Sequence, residues 1–180
     1  IAERTMRGKE ARAKAGMIPQ GTGRGMYGYV YDRTNGKRSI IPEQAKTVQR
    51  IFDDFIQYHS CNRVTTELNR EGIPAFAGGR WHTLTVRRIL KNQTYTGKTI
   101  YRKTKVEKVF NRHTGRKSRR TLTRNREDWI EVPNATPQII SPETYNTAQK
   151  VMDNPERQGM RRNGTYSLTG RVKCLFCSTP

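Results

Sequence analysis

Apolar residues in this chain concentrate where only a helix can use them. In "PEQAKTVQRIFDDF" (residues 42–55), Ala45, Val48, Phe52 and Phe55 fall three and four apart, with Ile51 and Ile56 reinforcing the same side. That spacing lines one face of an α-helix and lacks the alternation a half-buried strand needs. Pro42 suits the first helical position and Glu43 the positive end of the helix dipole. A second helix is predicted near residues 62–71, where Val64 and Leu68 stand four apart and Gly72 supplies a stop. Trp81 introduces a third, which Thr83 is expected to cap, with Val86, Ile89 and Leu90 turned inward. Three apolar-striped helices and a short turn around Gly72 make a helix-turn-helix candidate.

Around this core the composition is unusual. Hydrophobic residues make up 33% of 180, so a small core with long polar appendages is expected. Net charge is +20, and a field of that size draws polyanions. No apolar run approaches the roughly 18 residues that span a bilayer. No helix joins a basic face to an exposed aromatic one, which disfavours a membrane surface and leaves nucleic acid. Three cysteines, two of them in Cys-x-x-Cys, do not form a secreted disulfide framework. The charge is also uneven. Residues 98–126 hold twelve Lys/Arg against the one acid Glu107, whereas residues 43–73 are nearly neutral.

Outside the three helices, "IAERTMRGKEARAKAG" reads as a helix stopped by Gly16, uncapped and polar all round, like the tail of a longer one. The Gly-rich "MIPQGTGRGMYG" has no strand before it and no helix after it, so it is not a nucleotide-binding loop. Two readings stay open for it. It is a flexible tether, or Arg24, between Gly23 and Gly25, lies in a DNA minor groove. "YGYVYDRTNGKRSII" reads as a hairpin with Tyr27, Tyr29 and Tyr31 on one side and a type I′ turn at Asn35-Gly36. "QTYTGKTIYRKTKVEKVF" reads as strand, and "DWIEVP" as a returning strand. The basic run between them is a disordered loop, a limb that orders along phosphates, or both in turn. "SPETYNTAQKVMDNP" reads as a helix with Ser141 at its N-cap and Pro142 at N1. A polar linker then leads to Cys174 and Cys177, half of a zinc site, with Cys61 expected in the core rather than on a metal.

The third helix offers the candidate site. With Val86, Ile89 and Leu90 inward, Thr85, Arg87, Arg88, Lys91 and Asn92 are left outside, side chains able to bond bases and phosphates. An ordinary solvated face is the alternative. Thr83 at the helix start and Arg102, Lys103 and Lys105 in the basic limb complete the predicted DNA-binding set with Arg24.

The order of these parts resembles the DNA-binding region of the large serine recombinases. The resemblance is carried by "MYGYVYD", "PEQAKTVQRIFDDF", "VTTELNREGIP", a Trp before "VRRILKNQTYTGKTIY", "PQIISPETYNTAQKVM" and "YSLTGRVKCLFC". It implies an α+β fold: a winged-helix-like helix-turn-helix domain with small β-hairpins, preceded by the end of a long helix. It divides the chain into a helix end and arm (1–25), the recombinase DNA-binding domain (26–155), and a linker with the start of a zinc ribbon (156–180). It further implies half-site binding in a recombination attachment site, other recombinase subunits as partners (a dimer, or a tetramer on synapsis), and the cytoplasm and nucleoid of a prokaryote. The nucleophilic serine belongs to a preceding catalytic domain, so no catalytic residue is assigned here. No cofactor is expected within these residues; zinc is expected in a longer protein, through Cys174 and Cys177. The family pattern has glycine after the second cysteine, where this chain has Ser178. A basic RNA-binding or ribosome-associated protein is the competing class.

Overall fold

The computed structural model describes residues 2–19, 25–111 and 115–154. Helix α1 (Ala2–Lys14) is followed by strands β1 (Tyr29–Tyr31) and β2 (Arg38–Ile40), then helices α2 (Pro42–Tyr58), α3 (Cys61–Arg70) and α4 (Thr83–Lys91). Strands β3 (Thr99–Tyr101), β4 (Thr104–Asn111), β5 (Arg116–Thr123) and β6 (Ile130–Val132) precede helix α5 (Pro142–Asp153). The strands pair antiparallel in twos, β1 with β2, β3 with β6 and β4 with β5. The fold is thus a mixed one of helices and small hairpins.

The stripe on α2 is the centre of the core. Ala45, Val48, Ile51, Phe52 and Phe55 are buried, and they meet Val64 and Leu68 of α3, Val86, Ile89 and Leu90 of α4, and Ala148 of α5. Tyr27 and Tyr29 pack into the same cluster. Gly28 lies between them at φ +91, and a Cβ there would stand 3.1 Å from Ile139 Cδ1. Only glycine allows this close, left-handed passage. A second, smaller cluster of Ala13, Ile18, Val132 and Ala135 docks the end of α1 on β6. The ion pair of Arg102 with Glu10 ties α1 to the end of β3, the strand paired with β6.

Four local expectations change. The β1–β2 connection spans residues 32–37 and is not a type I′ turn. That turn requires positive φ at both central residues, and of the pair only Gly36 is left-handed. Polar side chains set the longer loop: Asp32 Oδ1 accepts from Thr34 N at 2.8 Å, and Asn35 Oδ1 from Lys37 N at 2.9 Å. Thr83 is the first residue of α4 rather than its cap, which is His82 in extended conformation with no side-chain bond. The link from α3 to α4 is not a short turn at Gly72. It runs through residues 71–82, with a 3₁₀ turn at Phe76–Gly78. Residues 93–96, expected in a strand, form another 3₁₀ turn that buries Tyr95. Ser141 does cap α5, accepting from Thr144 N at 3.1 Å, with Pro142 following it.

Candidate nucleic-acid interface

Helix α4 is held from three sides. At its start Trp81 is 2% exposed, and its backbone is clamped by one side chain. Asn69 of α3 accepts from Trp81 N at 2.8 Å and donates to Trp81 O at 3.0 Å. The indole N–H donates to Ile73 O at 2.9 Å, and Tyr27 meets the indole ring edge-on at 5.0 Å. Thr83 Oγ1 donates to Asn62 Oδ1 at 3.4 Å, a further tie to α3. At its end α5 satisfies carbonyls that a helix leaves orphaned. Gln149 Nε2 donates to Leu90 O at 2.8 Å and Tyr145 Oη to Lys91 O at 3.1 Å. Such a helix presents its outer face at a fixed angle.

That outer face is cationic. Arg87, Arg88 and Lys91 are exposed, and Thr85 is half-buried beside them. Among the described residues no carboxylate lies within ion-pair distance of these three cations. The sequence explains this, because it has no acid between Glu71 and Glu107. Thr85 and Arg88 line a cleft with Gly25, Met26, Phe76, Arg80 and His82, so the segment following Arg24 lies against the helix. Arg24 itself, like Cys174 and Cys177, lies outside the described residues.

The remaining predicted residues divide. Asn92 serves the fold: its Oδ1 accepts from Thr94 N at 3.1 Å and its Nδ2 donates to Met26 Sδ at 3.0 Å. Arg102 is half-buried with φ +61 and paired with Glu10, which makes it a tie between β3 and α1. Lys103 is exposed with Nζ 5.4 Å from the Trp129 ring centre. Lys105 is exposed and paired with Glu107 at 2.6 Å.

Strands β4 and β5 form a ribbon that carries much of the basic run. β4 and β5 pair from Thr104↔Thr123 to Asn111↔Arg116, bringing Lys105, Lys108, Lys117, Arg119 and Arg120 onto two strands with Glu107. Val106, Val109 and Phe110 are exposed along it. Among the described residues no cluster of three or more His, Cys, Asp or Glu could hold a metal ion, and no helix is long and apolar enough to cross a membrane. Cys61 begins α3 and packs against the main core.

Sequence reasoning missed Arg80, Asn69 and Tyr95. Arg80 had a legible signal, a cation just before Trp81. Asn69 and Tyr95 act through partners distant in sequence.

The geometry defines a rigid cationic helix on a small helical body with an appended basic ribbon. The family model described as Recombinase matches residues 42–155, and the chain belongs to that family, as the likeness to large serine recombinases implied. A protein of Bacillus subtilis (strain 168) described as "Putative DNA recombinase" is 28% identical over 185 residues, covering 98% of this chain and 36% of its own length. The chain therefore spans about a third of that relative. Two solved structures share the fold, each with a TM-score of 0.57. One, "Crystal Structure of a LSR-DNA Complex", is 22% identical over 87% of this chain and 38% of its own. The other, "Sequence Requirements of the Listeria innocua prophage attP site", is 21% identical over 88% of this chain and 56% of its own.

Proposed function

We propose that the chain binds duplex DNA sequence-specifically, as the part of a site-specific recombinase that engages one half of an attachment site. In this reading α3 and α4 act as the helix-turn-helix pair. Helix α4 lies in the major groove, Arg24 and its flanking glycines enter the adjacent minor groove, and the β4–β5 ribbon lies along phosphates. The observation that carries it is the outer face of α4, where Arg87, Arg88 and Lys91 have no acidic partner among the described residues and the helix is clamped at both ends. Arginine bonds guanine O6 and N7 through two donors at once, and a clamped helix holds that fork in register. The same fold in a solved structure described as a DNA complex supports the partner.

Selection from random-sequence duplexes at fixed salt tests the proposal. One preferred site is expected, and Arg88→Ala is expected to weaken binding to it by about 1–3 kcal/mol while relaxing preference at one or two base pairs. Equal affinity for every duplex, or a preference for duplex RNA, would overturn it.

A further inference from the structure

One side chain on the outer face of α4 has the wrong chemistry for a phosphate. Leu84 is 57% exposed, whereas the other apolar residues Val86, Ile89 and Leu90 of the same helix are buried. Residues 84, 87, 88 and 91 fall on a single line along a helix, so Leu84 leads the stripe that continues as Arg87, Arg88 and Lys91. A lone exposed leucine is ordinary on a protein surface. This one sits in the first turn of the helix, at the head of a cationic stripe beside Thr85. A helix laid in a major groove brings those N-terminal residues to the base edges.

A leucine there has neither donor nor acceptor to offer. The apolar feature that the major groove displays is the C5-methyl group of thymine, where cytosine carries only hydrogen. Water removed from between two such surfaces favours the contact, whereas a polar base edge facing the leucine would be left without a partner. We infer that Leu84 is a specificity-determining residue that packs on the C5-methyl of one thymine in the bound duplex. The inference rests on the duplex-DNA reading above. It assigns Leu84 the role of selecting thymine while its cationic neighbours bond guanine or phosphate.

Deoxyuridine isolates the methyl group, because it pairs as thymidine does and lacks only that carbon. Each thymine of the selected site is replaced singly, and affinity is measured for the unchanged protein, Leu84→Ala and Leu84→Met. At one position the replacement should weaken the unchanged protein by about fourfold, the effect of one buried methyl-sized group. Leu84→Met should keep that penalty, and Leu84→Ala should lose it at that position alone. The penalty persisting in Leu84→Ala, or no thymine distinguishing the two proteins, overturns the inference. An even loss across all duplexes does the same, since it would make Leu84 a merely structural residue. Failure of the duplex-DNA reading is recognised earlier, as the absence of any preferred site before a thymine is replaced, and the inference falls with it.

Discussion

The helical body and the β4–β5 ribbon both display cations, yet they hold them in opposite ways. In the body, Arg87, Arg88 and Lys91 project from a helix whose other face is packed on Phe52, Phe55 and Leu68. In the ribbon, each strand has the other as its main support, and Val106 and Phe110 are 61% and 57% exposed. A two-stranded hairpin without a core is marginal by itself, so its side chains hold charge without a fixed direction. The difference teaches a division of labour. In the proposed DNA-binding role, base readout needs atoms placed to a fraction of an ångström and would fall to the body, whereas phosphate attraction tolerates movement and would suit the ribbon.

The same residue type sharpens this contrast most strongly. Phe52→Ala should destabilise the protein by about 3–5 kcal/mol, because a fully buried ring leaves a cavity. Phe110→Ala, in the ribbon, should change stability by no more than about 0.5 kcal/mol. Thermal unfolding followed by circular dichroism measures both. Comparable losses would mean that the ribbon is packed and the division is false.

Next in size is removal of the ribbon. Thr104 and Thr123 face each other across the ladder, so an Asn-Gly turn can replace residues 105–122 without moving the body. If four phosphate contacts are lost, the plot of log affinity against log salt should become shallower by about 3.6, with the order of preferred sites unchanged. A salt titration on three or four duplexes decides it. A changed order would show that the ribbon reads bases, and the contrast would collapse.

The same contrast explains what was legible in the sequence. Burial imposes period, so the stripes of α2, α3 and α4 could be read directly, as could Ser141 and Pro142 at the start of α5. The ribbon buries no face, so "KVEKVF" in β4 reads as strand while "RKSRRTLT" in β5 carries no apolar period to mark it as one. The β1–β2 loop misled because Asn-Gly is a strong local signal that Asp32 and Asn35 override with their own hydrogen bonds. Asn92 and Arg102 were legible as polar and basic. Their engagement by Met26, Thr94 and Glu10 depends on the tertiary fold, which spacing along the chain does not encode. Tyr95 was hidden for the same reason: "QTYTG" reads as strand, and the 3₁₀ turn that buries the ring is held by Tyr27 and Tyr29, far away in sequence.

Tyr95 supplies the smallest effect and the last test, a titration confined to the body. It is 1% exposed, its hydroxyl donates to Tyr27 O at 2.9 Å, and its ring stacks on Tyr29 at 5.8 Å. Burial, with the neighbouring Tyr29 adding to it, pushes its pKa well above the ordinary tyrosine value. The folded protein therefore keeps this proton at a pH where the unfolded chain, titrating near 10, has released it. Fewer protons on the unfolded state mean stability that is fully present below about pH 10 and declines as pH rises beyond it. Tyr95→Phe removes the titration but strands the Tyr27 carbonyl, at about 1 kcal/mol near neutral pH. The variant should thus begin less stable and then close the gap by roughly 1.4 kcal/mol for each pH unit above 10. Urea unfolding at pH 7, 10 and 11 follows the two curves. The protein lacking residues 105–122 should keep the unchanged protein's alkaline slope, since the ribbon contains no tyrosine. A constant gap from pH 7 to 11 would mean that the Tyr95 hydroxyl ionises alike in both states, and the body would not be sealed where the packing of Tyr95 says it is.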